Sequence, residues 1–112
     1  NTASMLTFFG SGVAPAYAAS KGGIGQLTRS LEIAWAPFGI RVNALAPGWI
    51  ATSLTKPLTD DDGKSTGILG RTPMGRWGTP DDVVGPARFL ASPDAGFVTG
   101  TILPVDGGYS AA

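Results

Sequence analysis

Tyr17 and Lys21 stand four residues apart, the spacing that puts two side chains on one face of a helix. A free phenol titrates near pH 10, too high to accept a proton well at neutral pH, and a neighbouring cation lowers that value. A Tyr–Lys pair can therefore exchange a proton with a bound oxygen. The chain has no His and no Cys. That removes Ser-His-Asp catalysis, thiolate nucleophiles, disulfides and the common zinc sites. Acid–base chemistry is left to Tyr, Lys and carboxylates. The same spacing also fits an ordinary amphipathic helix whose Lys reaches out to water, and spacing alone does not choose between the two.

Ser4 adds context. It lies thirteen residues before Tyr17 and closes Asn1-Thr2-Ala3-Ser4, which reads as the end of a strand. A hydroxyl at the carboxyl end of a strand faces the crevice where open α/β sheets bind ligands. Ser, Tyr and Lys together are the set that hydride transfer between an alcohol and a carbonyl requires. Ser holds the oxygen, Tyr exchanges its proton and Lys poises Tyr. The hydride itself needs a nicotinamide, because no side chain carries one.

These residues need elements to position them. Pro15 suits a first helical turn, Ile24, Leu27, Leu31 and Trp35 recur at helical spacing, and Pro37 and Gly39 stop the pattern, so a helix is predicted over 15–36. Residues 5–14 read as a loop that leads into it, and 40–46 alternates as a short strand bounded by Gly39 and Pro47-Gly48. A helix that feeds a strand so closely suggests a βαβ unit with a parallel sheet. Residues 49–80 read mostly as a long loop with one short helix near 60–70, and long loops of this kind are usually lids or binding loops. Thr79-Pro80-Asp81-Asp82 starts a helix that runs to about 92, and 101–106 is a last strand whose Pro104 marks it as an edge or irregular strand.

Composition limits the partners. Eight basic and eight acidic residues cancel, and no basic run exists, so a nucleic-acid backbone is not the expected partner. No apolar run approaches a membrane span, no leader pattern opens the chain, and a cytoplasmic protein is expected. The chain begins at Asn1 without Met, so a preceding segment is expected.

Several short motifs now line up: Ala3-Ser4, Tyr17-Ala18-Ala19-Ser20-Lys21-Gly22-Gly23, Ile40-Arg41-Val42-Asn43, Ala46-Pro47-Gly48 with Thr52, Gly75-Arg76-Trp77-Gly78 and Val105-Asp106-Gly107-Gly108. In order and spacing they resemble the short-chain dehydrogenase/reductase family from residue 1 to 110. The resemblance implies that Tyr17 is the catalytic acid/base, that Lys21 poises it and holds the nicotinamide ribose, and that Ser4 binds the substrate oxygen. It implies NAD or NADP as cofactor, with Pro47-Gly48 turning the strand beneath the nicotinamide and the Ile50 backbone and Thr52 meeting its carboxamide. A loop turn made by the Thr52 hydroxyl is the plain alternative. Ser11 and Ser20 are read as structural hydroxyls, and Arg41 and Asn43 as packing and sheet-edge residues.

The family's Gly-rich turn after the first strand is missing. Neither Gly10-Ser11-Gly12 nor the Gly22, Gly23, Gly25 cluster lies between a first strand and a helix. The expected fold is therefore α/β, with residues 1–112 forming the C-terminal half of a doubly wound parallel-sheet, Rossmann-like domain whose N-terminal half is absent. The expected partners are a small alcohol or ketone and a second copy of the chain, with Gly22, Gly23 and Gly25 allowing close approach; tight packing of these glycines within the chain is the plain alternative. No metal is expected, and Asp60-Asp61-Asp62 reads as a solvated helix start. The motifs around Ser4, Gly75–Thr79 and Phe89–Ser92 are most similar to members that act on sugar acids or polyols, with 3-oxoacyl carrier-protein reductases second. A truncated, non-catalytic module that self-associates is the other reading, since a missing half would leave apolar faces uncovered.

Overall fold

Two four-residue parallel strands form the centre of a computed structural model that describes residues 1–112: β1 (Ala44–Pro47) and β2 (Ile102–Val105), paired from Ala44 with Ile102 to Pro47 with Val105. The opening residues lie along the other side of β1. Thr2 bridges to Leu45, Ala3 N–H donates to the Leu45 carbonyl at 2.7 Å, and Leu45 N–H donates to the Asn1 carbonyl at 3.0 Å. The opening segment thus pairs as a strand end would, though it forms a single bridge rather than a full strand. Pro104 lies in β2, which has a strand neighbour on one side only.

Helix α1 (Pro15–Trp35) starts at Pro15, as expected. It passes into a 3-10 turn at Ala36–Phe38, and Gly39, at φ 73°, takes the left-handed conformation that ends it. Residues 40–43 were expected in the strand, which in the structure begins at Ala44. The reason is that side chains replace the ladder there. Asn43 Nδ2 donates to the Val98 carbonyl at 2.8 Å and its Oδ1 accepts from Thr101 N–H at 3.1 Å. Arg41 clamps the Leu90, Ser92 and Val98 carbonyls.

The segment expected to be mostly loop holds two short helices, α2 (Lys56–Thr59) and α3 (Asp62–Gly70). Asp61 caps α3 by accepting from Lys64 N–H at 3.0 Å, so the acidic run is a helix start. Helix α4 (Pro80–Ala91) begins where Thr79-Pro80 indicates. Its cap works mainly in reverse: the Asp82 carboxylate accepts from the Thr79 backbone at 2.7 Å and from the Thr79 hydroxyl at 3.0 Å. Arg76 then forks onto both Asp82 oxygens at 2.8 Å. The Arg76 hydrogen bond, then the Thr79 bonds, hold the Asp82 carboxyl well below the usual carboxylate range.

The core is small. Ala3, Ala44, Ala46 and Ile102 pack together with Ile24 of α1 against them. Only 10 of 112 residues are buried, so much of the apolar surface stays outside. Leu27, Ile33 and Trp35 on α1 are exposed, and so are Val13, Leu54 and Phe97. No helix is long and apolar enough to cross a membrane.

Candidate active site

Ser4 is buried, and its hydroxyl accepts from Leu6 N–H at 3.2 Å, capping the 3-10 turn Met5–Thr7. Thr7 ties that turn to α1: its hydroxyl accepts from Ser4 N–H at 3.3 Å and donates to the Lys21 carbonyl at 2.9 Å. The Lys21 ammonium donates to the Thr2 carbonyl at 2.9 Å and lies 5.6 Å from the centre of the Tyr17 ring. Tyr17 is half exposed. Ser20 is structural as expected, its hydroxyl donating to the Tyr17 carbonyl at 2.7 Å.

The cofactor-side residues follow β1. Gly48 N–H donates to the Val105 carbonyl at 3.0 Å. A Cβ on Gly48 would fall 2.6 Å from Cβ of Asp106, so glycine is required by close approach. Asp106 in turn accepts from Gly108 N–H at 3.0 Å and Ser110 N–H at 2.9 Å, which fixes the turn through Gly107 and Gly108, both at positive φ. Burial pushes the Asp106 carboxyl up, but these hydrogen bonds outweigh it and hold it below its ordinary value. Thr55 governs the next loop: its hydroxyl donates to the Ile50 carbonyl at 2.6 Å and accepts from Thr52 N–H at 2.9 Å. The loop turn weighed for Thr52 thus belongs chiefly to Thr55.

All seven candidates, Ser4, Tyr17, Lys21, Pro47, Gly48, Ile50 and Thr52, line one open cleft of about 1020 Å³. They come from three separate parts of the chain. The charged residues of its lining are Lys21 and Arg71, with no Asp or Glu among them. Ser11 also borders it, whereas Arg41 and Asn43 do not.

Sequence reasoning missed the aromatic wall of the cleft. Phe9 and Tyr109 stack with centroids 6.1 Å apart, and the Arg71 guanidinium lies 4.4 Å from the Tyr109 ring centre and 5.0 Å from that of Phe9. Trp49 meets Tyr109 and Trp77 edge-on, at 6.3 Å and 5.9 Å. No local pattern joins residues this far apart. The cues for Thr7, Thr55 and Asp106, hydroxyls or a carboxylate beside turn glycines and helix starts, are common in any chain.

The parallel strands, with helices packed beside them, define a partial doubly wound α/β fold, and the strand ends and first helix bring Ser4, Tyr17 and Lys21 to one cleft. The family described as enoyl-(acyl carrier protein) reductase matches residues 1–110, and the chain belongs to the short-chain dehydrogenase/reductase family, as a partial Rossmann-like domain. It is 57% identical over 108 residues to a 2-dehydro-3-deoxy-D-gluconate 5-dehydrogenase of Pseudoalteromonas atlantica, covering 96% of this chain and 42% of that protein. It is 51% identical to the protein of that name from Bacillus subtilis, covering 97% of this chain and 43% of the relative. A crystal structure of a gluconate 5-dehydrogenase from Burkholderia cenocepacia in complex with NADP and tartrate superposes with a TM-score of 0.97 at 42% identity, covering all of this chain and 44% of that one. The chain therefore spans less than half the length of the relatives it matches.

Proposed function

We propose that residues 1–112 are the catalytic and substrate half of an NAD(P)-dependent oxidoreductase that interconverts an alcohol and a ketone. The substrate is a sugar acid or polyol, and this half works within a longer chain. The observation that carries the reading is the convergence of Ser4, Tyr17 and Lys21 with Pro47, Gly48, Ile50 and Thr52 on one cleft. The names of the relatives support the substrate class, and the NADP in the Burkholderia enzyme supports the cofactor class.

Ser4 holds the substrate oxygen, and its buried position fixes where that oxygen sits. Tyr17 gives or takes the proton at that oxygen. Lys21 keeps a positive charge beside Tyr17 while its Thr2 bond locks the side chain in place. The lining is compatible with the nicotinamide end of the cofactor: Lys21 offers donors to a ribose, and Pro47, Gly48, Ile50 and Thr52 border the same cleft. Bound there, the nicotinamide supplies the hydride. The pyrophosphate has no full G-x-G-x-x-G cradle before α1, where Gly10 and Gly12 are followed by Pro15 at the third glycine's position.

A second reading is a non-catalytic module that self-associates, and the exposed Val13, Ile33, Phe38, Leu54 and Phe97 favour it. We also propose pairing of two copies along α1, and a cytoplasmic setting. The test is an assay of the complete chain with NAD and NADP against sugar acids, polyols and a 3-oxoacyl thioester. Turnover of a sugar acid or polyol supports the first reading, turnover of the thioester alone moves the substrate class, and no turnover favours the second.

A further inference from the structure

Arg71 carries a charge that nothing in the chain neutralises. The ion pairs of the chain are Lys56–Asp60, Lys64–Asp61 and Arg76–Asp82, and the Arg71 side chain takes part in no hydrogen bond. It lies instead against the Tyr109 and Phe9 rings, 4.4 Å and 5.0 Å from their centres. Stacking of this kind engages the face of a guanidinium and leaves its N–H edge available to a planar anion. Arg71 borders the cleft that holds Ser4 and Tyr17, whose lining contains no carboxylate.

We propose that Arg71 is the substrate-carboxylate residue of this cleft, held by Tyr109 and Phe9 so that its N–H edge receives the acid group of the substrate in a two-pronged hydrogen bond. The proposal rests on the oxidoreductase reading and deepens it, because it says how an acid is told from a neutral polyol. A charge-assisted, bidentate pair is stronger than a neutral hydrogen bond and demands the planar fork that Lys lacks.

The test uses the complete chain with its nicotinamide cofactor and two probes, gluconate and its uncharged counterpart sorbitol, each measured as substrate or as competitive inhibitor. Replacing Arg71 by Leu is expected to weaken gluconate about 10–100-fold and to leave sorbitol within about two-fold. An equal loss for both probes shows a packing role only and overturns the proposal, as does an unchanged preference for gluconate. Should Arg71→Leu not fold, Arg71→Lys decides: gluconate weakened by about 3–10-fold with sorbitol unchanged supports the fork, and equal shifts overturn it. An unsubstituted enzyme that turns over sorbitol but ignores gluconate overturns the Arg71 assignment while the oxidoreductase reading stands. No nicotinamide-dependent reaction with any alcohol or ketone overturns both.

Discussion

Thr7 joins the segment that carries Ser4 to the helix that carries Tyr17 and Lys21, its hydroxyl donating to the Lys21 carbonyl at 2.9 Å. Its methyl fills the space beside Gly25, where a Cβ would fall 2.5 Å from Thr7 Cγ2 and 3.1 Å from Ile102 Cδ1. Gly25 is thus required by packing within the chain. Gly25→Ala is expected to lower stability by about 1–3 kcal/mol, as overpacking does, measured by denaturant unfolding. Thr7→Val keeps the volume and removes the hydroxyl, and is expected to destabilise by about 1 kcal/mol. A neutral Gly25→Ala would contradict the close contact.

Gly22 and Gly23 behave differently, since a Cβ at either meets nothing within 4 Å. A charged residue there leaves the fold intact and places charge on the open face of α1. If two copies pair along α1, Gly22→Glu is expected to reduce the mass per particle in light scattering without lowering the melting temperature. Unchanged mass would place any contact elsewhere.

The helix starts were legible in the sequence because each has its own local chemistry: Pro15 for α1, Thr79-Pro80 for α4, and the acidic run for α3. The extent of α3 was less clear, because Gly63, Gly67 and Gly70 interrupt any apolar stripe. The short α2, built on Lys56-Pro57-Leu58-Thr59, offers no periodicity at all. Strand β1 was misplaced by four residues at its start because Arg41 and Asn43 look like alternating strand residues while their side chains bond the backbone of 90–101. That Ser4, Tyr17 and Lys21 meet at one cleft agrees with the order of the motifs that carry them. The stack of Arg71 on Tyr109 and Phe9 was not legible, because only folding brings those residues together.

Acid stability offers a further check. The Asp82 carboxyl is lowered from 3.8 by Arg76 first and Thr79 second. A carboxyl depressed in the folded state stabilises it fully above the unfolded value and loses that contribution as pH falls toward the folded value. The melting temperature of Asp82→Asn is therefore expected below that of the unsubstituted chain at pH 7, with the gap closing below about pH 4. A gap that stays constant from pH 7 to about pH 3 would show that the Arg76–Asp82 pair and its cap do not set it.

Residues 1–112 by themselves are expected not to bind NADH or NADPH more tightly than roughly 100 µM in calorimetric titration. The cleft offers the nicotinamide end a few hydrogen bonds, each worth about 0.5–1.5 kcal/mol net. Association costs about 4–15 kcal/mol, and the glycines before α1, Gly10 and Gly12, lack the third glycine of a pyrophosphate turn, whose place Pro15 takes. Tighter binding would reveal a complete cofactor site within these residues.

The most direct measurement is the turnover of Tyr17→Phe in the complete chain. Tyr17 is half exposed, and its phenol oxygen makes no hydrogen bond within the chain. Phe therefore keeps the packing and removes the proton donor alone. The account predicts a fall in kcat of about 10²–10⁴-fold with cofactor affinity within about two-fold of the unsubstituted enzyme. A variant that keeps more than about a tenth of kcat would contradict Tyr17 as the acid/base of this cleft.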